Sequence, residues 1–194
     1  MENSDYIYGI RAVIEAVEAG REIDKVFVAN TMQGDLAREL MSVLKANKIL
    51  LQKVPIEKIN RLTRRNHQGV VAMLSAVSYA RLDTVVPSLF EEGRVPLIVL
   101  LDGITDVRNF GAIARTCECA GVDAIVIPRR GGVSVGADAM KTSAGALSYL
   151  PVCREGSTVN SVKYLLDCGF RIIAATEKGR STIPKPTTPS RQPL

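Results

Sequence analysis

Residues 96–128 read PLIVLLDGITDVRNFGAIARTCECAGVDAIVIP, and this stretch decides the fold. Leu97 to Leu101 is a continuous apolar run bounded by Pro96 and Asp102-Gly103. Such a run suits a strand buried on both faces of a parallel sheet. After a polar loop, Phe110, Ile113, Ala114 and Cys117 recur at helical spacing, and Gly121 stands where a helix stop is expected. Ala124 to Ile127 gives a second buried strand. Together they make one βαβ unit. Open α/β sheets bind ligands at the carboxyl ends of their strands, so the loop after Leu101 is the first place to look for function.

In that loop the residues of interest are Asn109, Gly111 and Arg115. A helix beginning near Asn109 aims free backbone N–H groups and a positive dipole end at the loop, and Arg115 lies a little under two turns on. The same residues also read as an N-cap, a close-packing glycine and a surface arginine. Both readings stand on the residues alone. No GxGxxG occurs, which excludes the dinucleotide fingerprint.

Working outward, residues 1–77 alternate as a small α/β unit of their own. Ile10, Val13, Ile14 and Val17 form a stripe for a helix ending at Gly20. Lys25 to Ala29 reads as a strand, and Asp35 as the cap of a helix reaching Asn47, with Leu36, Leu40, Val43 and Leu44 inward. Ile49 to Val54 is a strand, Pro55 opens a short helix to about Arg64, and Val70 to Val77 is a further strand. Between them lies RLTRRNHQG, residues 61–69. There Arg64 and Arg65 can hold a phosphate backbone beside His67 and Gln68, which can read base edges. A solvated helix end carrying favourable C-terminal cations accounts for the same residues.

Residues 78–95, with Pro87 at their centre, read as a linker with at most one helical turn. Residues 96–180 form the second domain. Arg129, Arg130, Gly131 and Gly132 make a basic loop at another strand's carboxyl end. Asp138 to Leu147 reads as a helix, Tyr149 to Val152 as a short strand, Thr158 to Cys168 as a helix and Phe170 to Ala175 as the last strand. From Ser181 the Pro- and Thr-rich tail is expected to be extended or disordered.

Composition narrows the classes. The chain has 194 residues, 46% hydrophobic, with a formal charge of +5, which permits a nucleic-acid partner. It has no secretory leader and no run of 18 apolar residues, so a cytoplasmic protein is expected. Cys117, Cys119, Cys153 and Cys168 lack paired CxxC spacing and read as reduced, mostly buried thiols. With His67 the single histidine, neither a histidine metal site nor a Ser-His-Asp triad can be built, and no metal is expected.

Three stretches together resemble the SpoU (TrmH) family of RNA 2′-O-ribose methyltransferases of the SPOUT class. YIYGIRAVIEAV is similar to that family's substrate-binding domain, NHQGVVAML to the strand closing it, and LLDGITDVRNFGAIARTCECAGVDAIVIP to its first motif. KTSAGALSYLPV then matches the segment that usually follows. The resemblance covers about residues 5–180. It implies an α/β fold of a small amino-terminal substrate-binding domain and an open, mostly parallel sheet. It further implies S-adenosylmethionine as cofactor, ribosomal or transfer RNA as substrate, and a homodimer in which one subunit's arginine serves the other's cofactor.

By position the resemblance puts Asn109 and Arg115 at the reaction centre and gives Gly111 a structural role. Arg11, Arg64, Arg65, His67, Gln68, Arg129 and Arg130 are the expected RNA contacts. The family's second and third motifs, which form the knot and cradle the cofactor, are not recognisable after Phe170 to Ala175, and Glu177 lacks the glycine-rich context of the second motif's acid. The cofactor-binding residues therefore stay unassigned. The chain reads as a methyltransferase cut short before its knot, with weak or no activity expected of it alone. A non-catalytic RNA-binding protein is the competing reading. A doubly wound domain for an unrelated small ligand lacks a recognisable phosphate loop.

Overall fold

A computed structural model describes residues 6–176. It is an α/β chain in which a mixed four-stranded sheet precedes a parallel three-stranded one. The first sheet is built from β1 (Tyr6–Tyr8), α1 (Ile10–Glu18), β2 (Ile23–Ala29), α2 (Asp35–Ala46), β3 (Leu51–Val54), α3 (Ile56–Leu62) and β4 (Val70–Leu74). Its strand order is β1-β4-β2-β3; β2 and β3 are parallel, and β4 runs antiparallel to β1 and β2. Alternation along β2 sends Val26 and Val28 to one face and Phe27 and Ala29 to the other. Val13, Val17, Leu40 and Leu44 of α1 and α2 close the first face; Ile59 of α3 helps close the second.

The second sheet comes from β5 (Ile98–Leu100), α5 (Val107–Cys119), β6 (Ala124–Pro128), α6 (Ala137–Thr142) and β7 (Val152–Glu155), in the order β5-β6-β7. Its core gathers Phe110, Ala114, Cys117, Ile125, Ile127 and Val152. Tyr79 and Ala80 lead from the first sheet to the second, and Ala80 pairs with Cys153 beside β7.

Several expectations need correction. Gly34, not Asp35, stands at the N-cap of α2, and Asp35 lies in the first turn. Residues 82–91, expected as linker, form the ten-residue helix α4 (Leu82–Glu91). Pro87 removes one helix hydrogen bond, but Leu82, Val86 and Leu89 bury one face at i, i+4 and i+7, and this burial prevails. β5 is half-buried rather than covered on both faces, because it is the edge of its sheet. The helix expected to reach Leu147 stops at Thr142, and a separate 3-10 turn spans Ala146–Ser148. That turn and Pro151 push β7 three residues later than expected and leave Tyr149 exposed.

Contacts divide the chain into two units, 1–158 and 159–194. In the second, the helix α7 (Thr158–Asp167) is as expected. Phe170 to Ala175 forms no strand, and Arg171 to Thr176 are exposed. A short extended run without ladder partners cannot offset the entropy of ordering it. Glu177 and the tail from Ser181 lie outside the described residues.

Candidate functional site

α5 carries the central residues. Its N-cap is Asp106, whose carboxylate accepts the Asn109 N–H at 2.8 Å. The helix therefore starts before Asn109, which is not the cap and keeps its exposed side-chain amide uncommitted among the described residues. Gly121, at φ 71°, closes the far end, where the Val122 N–H donates to the Cys117 carbonyl at 2.9 Å.

Gly111 faces inward. A Cβ there would overlap Thr142 Oγ1 and stand 3.0 Å from the Ser143 amide nitrogen, so only a hydrogen fits where α5 crosses α6. Arg115 lies on the solvent side. Helix geometry puts it about 9 Å along and about 120° round from Asn109. Among the described residues neither Arg115 nor Arg108 makes a hydrogen bond or ion pair. Asn109 and Arg115 thus share one rigid helix without converging on one point.

Beside the start of α5 lies a cavity of ≈ 460 Å³ lined by Thr105, Asp106, Val107, Arg108, Asp138, Lys141 and Thr142. It sits at the carboxyl ends of β5 and β6, where an open parallel sheet binds ligands. Asn109 and Arg115 are not among its lining residues.

The 61–69 turn is held by its own side chains. His67 Nδ1 accepts the Gly69 N–H at 3.0 Å, which places the ring proton on Nε2, 2.8 Å from Asn60 Oδ1. Gln68 adopts φ 48° and its Oε1 accepts the Ile10 N–H at 3.3 Å, capping α1 from outside the helix. Arg65 lies over the Tyr8 ring, 5.7 Å from its centroid. Arg64 is exposed and has no partner among the described residues. Arg11 makes an exposed ion pair with Glu39 at 3.5 Å, of small energetic weight. Arg129 follows β6 and donates from Nη1 to the Lys48 carbonyl at 3.4 Å, while Arg130 is exposed. Gln68 and Arg65 thus meet the chain at Ile10 and Tyr8, next to Arg11, whereas Arg129 meets it at Lys48.

One polar cluster was invisible to spacing arguments. Asp24, the second residue of β2, is fully buried; its Oδ1 meets Arg154 Nη1 at 2.9 Å and accepts the Tyr79 hydroxyl at 2.7 Å. The Arg154 guanidinium also stacks over Tyr79 at 4.6 Å. Burial, then the Asp24 charge, raises the Tyr79 phenol well above its ordinary range. Burial lowers the neighbouring Lys25, aided by Arg154 and Lys58 and opposed by Asp24. Charged residues inside the apolar strands IDKVFVA and VCRE were the available sign, but 130 positions separate the partners.

Cys117 and Cys153 are buried, Cys168 is intermediate and Cys119 exposed; all four are free. Among the described residues no acid, Cys or His cluster could hold a metal, and no helix is long and apolar enough to cross a membrane.

Residues 6–80 match the family described as RNA 2′-O ribose methyltransferase substrate binding, and residues 96–192 match the SpoU rRNA Methylase family. A putative TrmH family tRNA/rRNA methyltransferase of Staphylococcus saprophyticus is 35% identical over 176 residues, covering 91% of this chain and 70% of the relative. A similarly named Bacillus subtilis protein is 32% identical over 180 residues, covering 92% and 72%. Among solved structures, an AdoMet-bound rRNA methyltransferase from Sinorhizobium meliloti is similar with a TM-score of 0.40 and 22% identity. The SpoU methyltransferase AviRb from Streptomyces viridochromogenes, in complex with AdoMet, gives 0.40 and 20%. Each match covers 84% of this chain, which spans 57% and 58% of those two structures.

Proposed function

The chain belongs to the SpoU rRNA methylase family, and from that premise we propose that it serves RNA 2′-O-ribose methylation, with ribosomal or transfer RNA as acceptor and S-adenosylmethionine as donor. The observation that carries this reading is the state of Arg115: an exposed guanidinium without a partner among the described residues, on a helix whose seat Gly111 fixes against α6. A cation so held is available to a phosphate. A guanidinium is a poor proton acceptor, so its role is to position RNA and neutralise charge, while the Asn109 amide orients the ribose. Residues 6–80 supply affinity for the RNA fold around the target, with Arg64 as the freest cation of their basic turn. A homodimer, in which Arg115 of one copy serves the site of the other, accords with the separation of Arg115 from the α5 cavity.

S-adenosylmethionine, when bound, supplies an electrophilic methyl group. The α5 cavity fits only its charged methionine end: Asp106, Asp138 and Lys141 offer both signs of charge, but Val107 is the one wholly apolar side chain in the lining. No apolar slab for an adenine is present there, so no transfer step is assigned to this cavity. The same mismatch favours a second reading, an RNA-binding protein without transfer. Incubating the 194-residue chain with methyl-labelled S-adenosylmethionine and ribosomal or transfer RNA tests both. At most weak label in 2′-O-methylated nucleotides is expected of this chain, because the family's second and third motifs are not recognisable in it. Label on a base would contradict the ribose assignment, and RNA bound without label would favour the second reading.

A further inference from the structure

Between the two sheets runs a cleft of ≈ 350 Å³ whose walls include Arg21, Lys48, Arg81, Arg129 and Arg154 against Glu22 and Asp24. It opens beside Arg129 and Arg154, at the carboxyl ends of β6 and β7, the same end of the parallel sheet that holds the α5 cavity. The charges fall into two sets. Asp24 and Arg154 are paired in the floor, though Asp24 Oδ2 and Arg154 Nε have no hydrogen-bond partner among the described residues, and Arg81 is held by Asp83 at the rim. Arg21 and Lys48 are exposed and have no side-chain partner among the described residues. Arg129 spends only Nη1, on the Lys48 carbonyl. Glu22 is the one carboxylate left to oppose these three cations.

We propose that this cleft binds the phosphodiester backbone of RNA through Arg21, Lys48 and Arg129. The Lys48 backbone supports the assignment. It holds φ 53° where the chain leaves α2, with the Ile49 N–H donating to the Leu44 carbonyl at 2.9 Å, and its own carbonyl accepts from Arg129. That bond fixes Arg129, from the end of β6, beside the turn that carries the Lys48 side chain. Phosphate contacts fix register rather than read sequence, so the cleft sets how an RNA crosses from the first sheet to the methyltransferase sheet. This inference rests on the RNA-substrate reading above.

The test uses the full chain and a fluorescently labelled transfer RNA transcript, with affinity measured across a salt series. The double variant Arg21→Gln with Lys48→Asn removes both free charges, and Asn suits the left-handed backbone at position 48. Loss of two phosphate contacts is expected to weaken binding roughly 15- to 30-fold at physiological salt and to flatten the log–log salt slope by about 1.5. Arg129→Gln alone is expected to act in the same direction and stands in if the double variant does not fold. Wild-type affinity and slope in the folded variants, with binding still sensitive to Arg64→Gln, would overturn the cleft and leave the RNA reading intact. A folded wild-type chain that binds no RNA would overturn both.

Discussion

The junction around Arg154 and the solvent face of α5 around Arg115 are both basic, yet they hold charge in opposite ways. Arg154 is only 9% exposed and is committed to Asp24 and Tyr79. Arg115 is exposed and committed to nothing within the described residues. A buried cation must be paired because desolvation penalises it heavily, whereas an unpaired cation in water retains its charge for an incoming anion. Burial and pairing therefore separate arginines that build the molecule from arginines that can serve RNA.

The most damaging way to break this contrast is Asp24→Ala. It strands the Arg154 guanidinium in the interior, and unfolding in denaturant is expected to show a loss of about 3–5 kcal/mol. Unchanged stability would mean that Arg154 is free to serve a ligand after all. Next comes Gly111→Ala, where backbone as well as the Thr142 side chain blocks the new methyl. Thermal and chemical unfolding are expected to report a loss of about 1–3 kcal/mol, because overpacking outweighs the gain in helix propensity.

A smaller effect separates two roles for Gln68. As the external cap of α1 its replacement by Ala should cost about 0.5–1 kcal/mol and leave RNA affinity unchanged. If Gln68 instead reads a base, affinity would fall at constant stability. The mildest test is alkaline pH, silent near neutrality. The unfolded chain ionises Cys153 from about pH 8.5 and Tyr79 from about pH 10. In the fold, burial, Glu155 and Asp83 push the thiol up to about 12, and the phenol is also raised. Both raised values mean stability intact below about pH 8 and falling as pH rises towards 12. Cys153→Ala should make that fall shallower in a pH series of melting temperatures.

What was legible in the sequence followed from period and punctuation. The α5 face of Phe110, Ala114 and Cys117, the stop at Gly121 and the buried β6 all stood in the pattern, because burial imposes a period on a long element. Short or conflicting signals failed. α4 contains a proline that its buried face overrides, and Phe170 to Ala175 has apolar residues but joins no strand ladder among the described residues. The site residues Asn109, Gly111 and Arg115 were visible as a motif. Gly111 already read there as a close-packing glycine; what it packs against, Thr142 and Ser143, was not legible because the α5–α6 crossing is a tertiary contact. Likewise the hydrogen bonds that tie His67 and Gln68 to Asn60, Gly69 and Ile10 could not be read from RLTRRNHQG.

The most direct test of the central claim is single-turnover methyl transfer by Arg115→Ala, measured beside its melting temperature. An arginine that serves RNA predicts transfer reduced by about 10²- to 10³-fold, the scale of losing one electrostatic contact in a transition state, with the melting temperature unchanged. Transfer at the wild-type rate, or a loss matched by unfolding, would show that Arg115 belongs to the structure and would contradict the division of charge drawn from the fold.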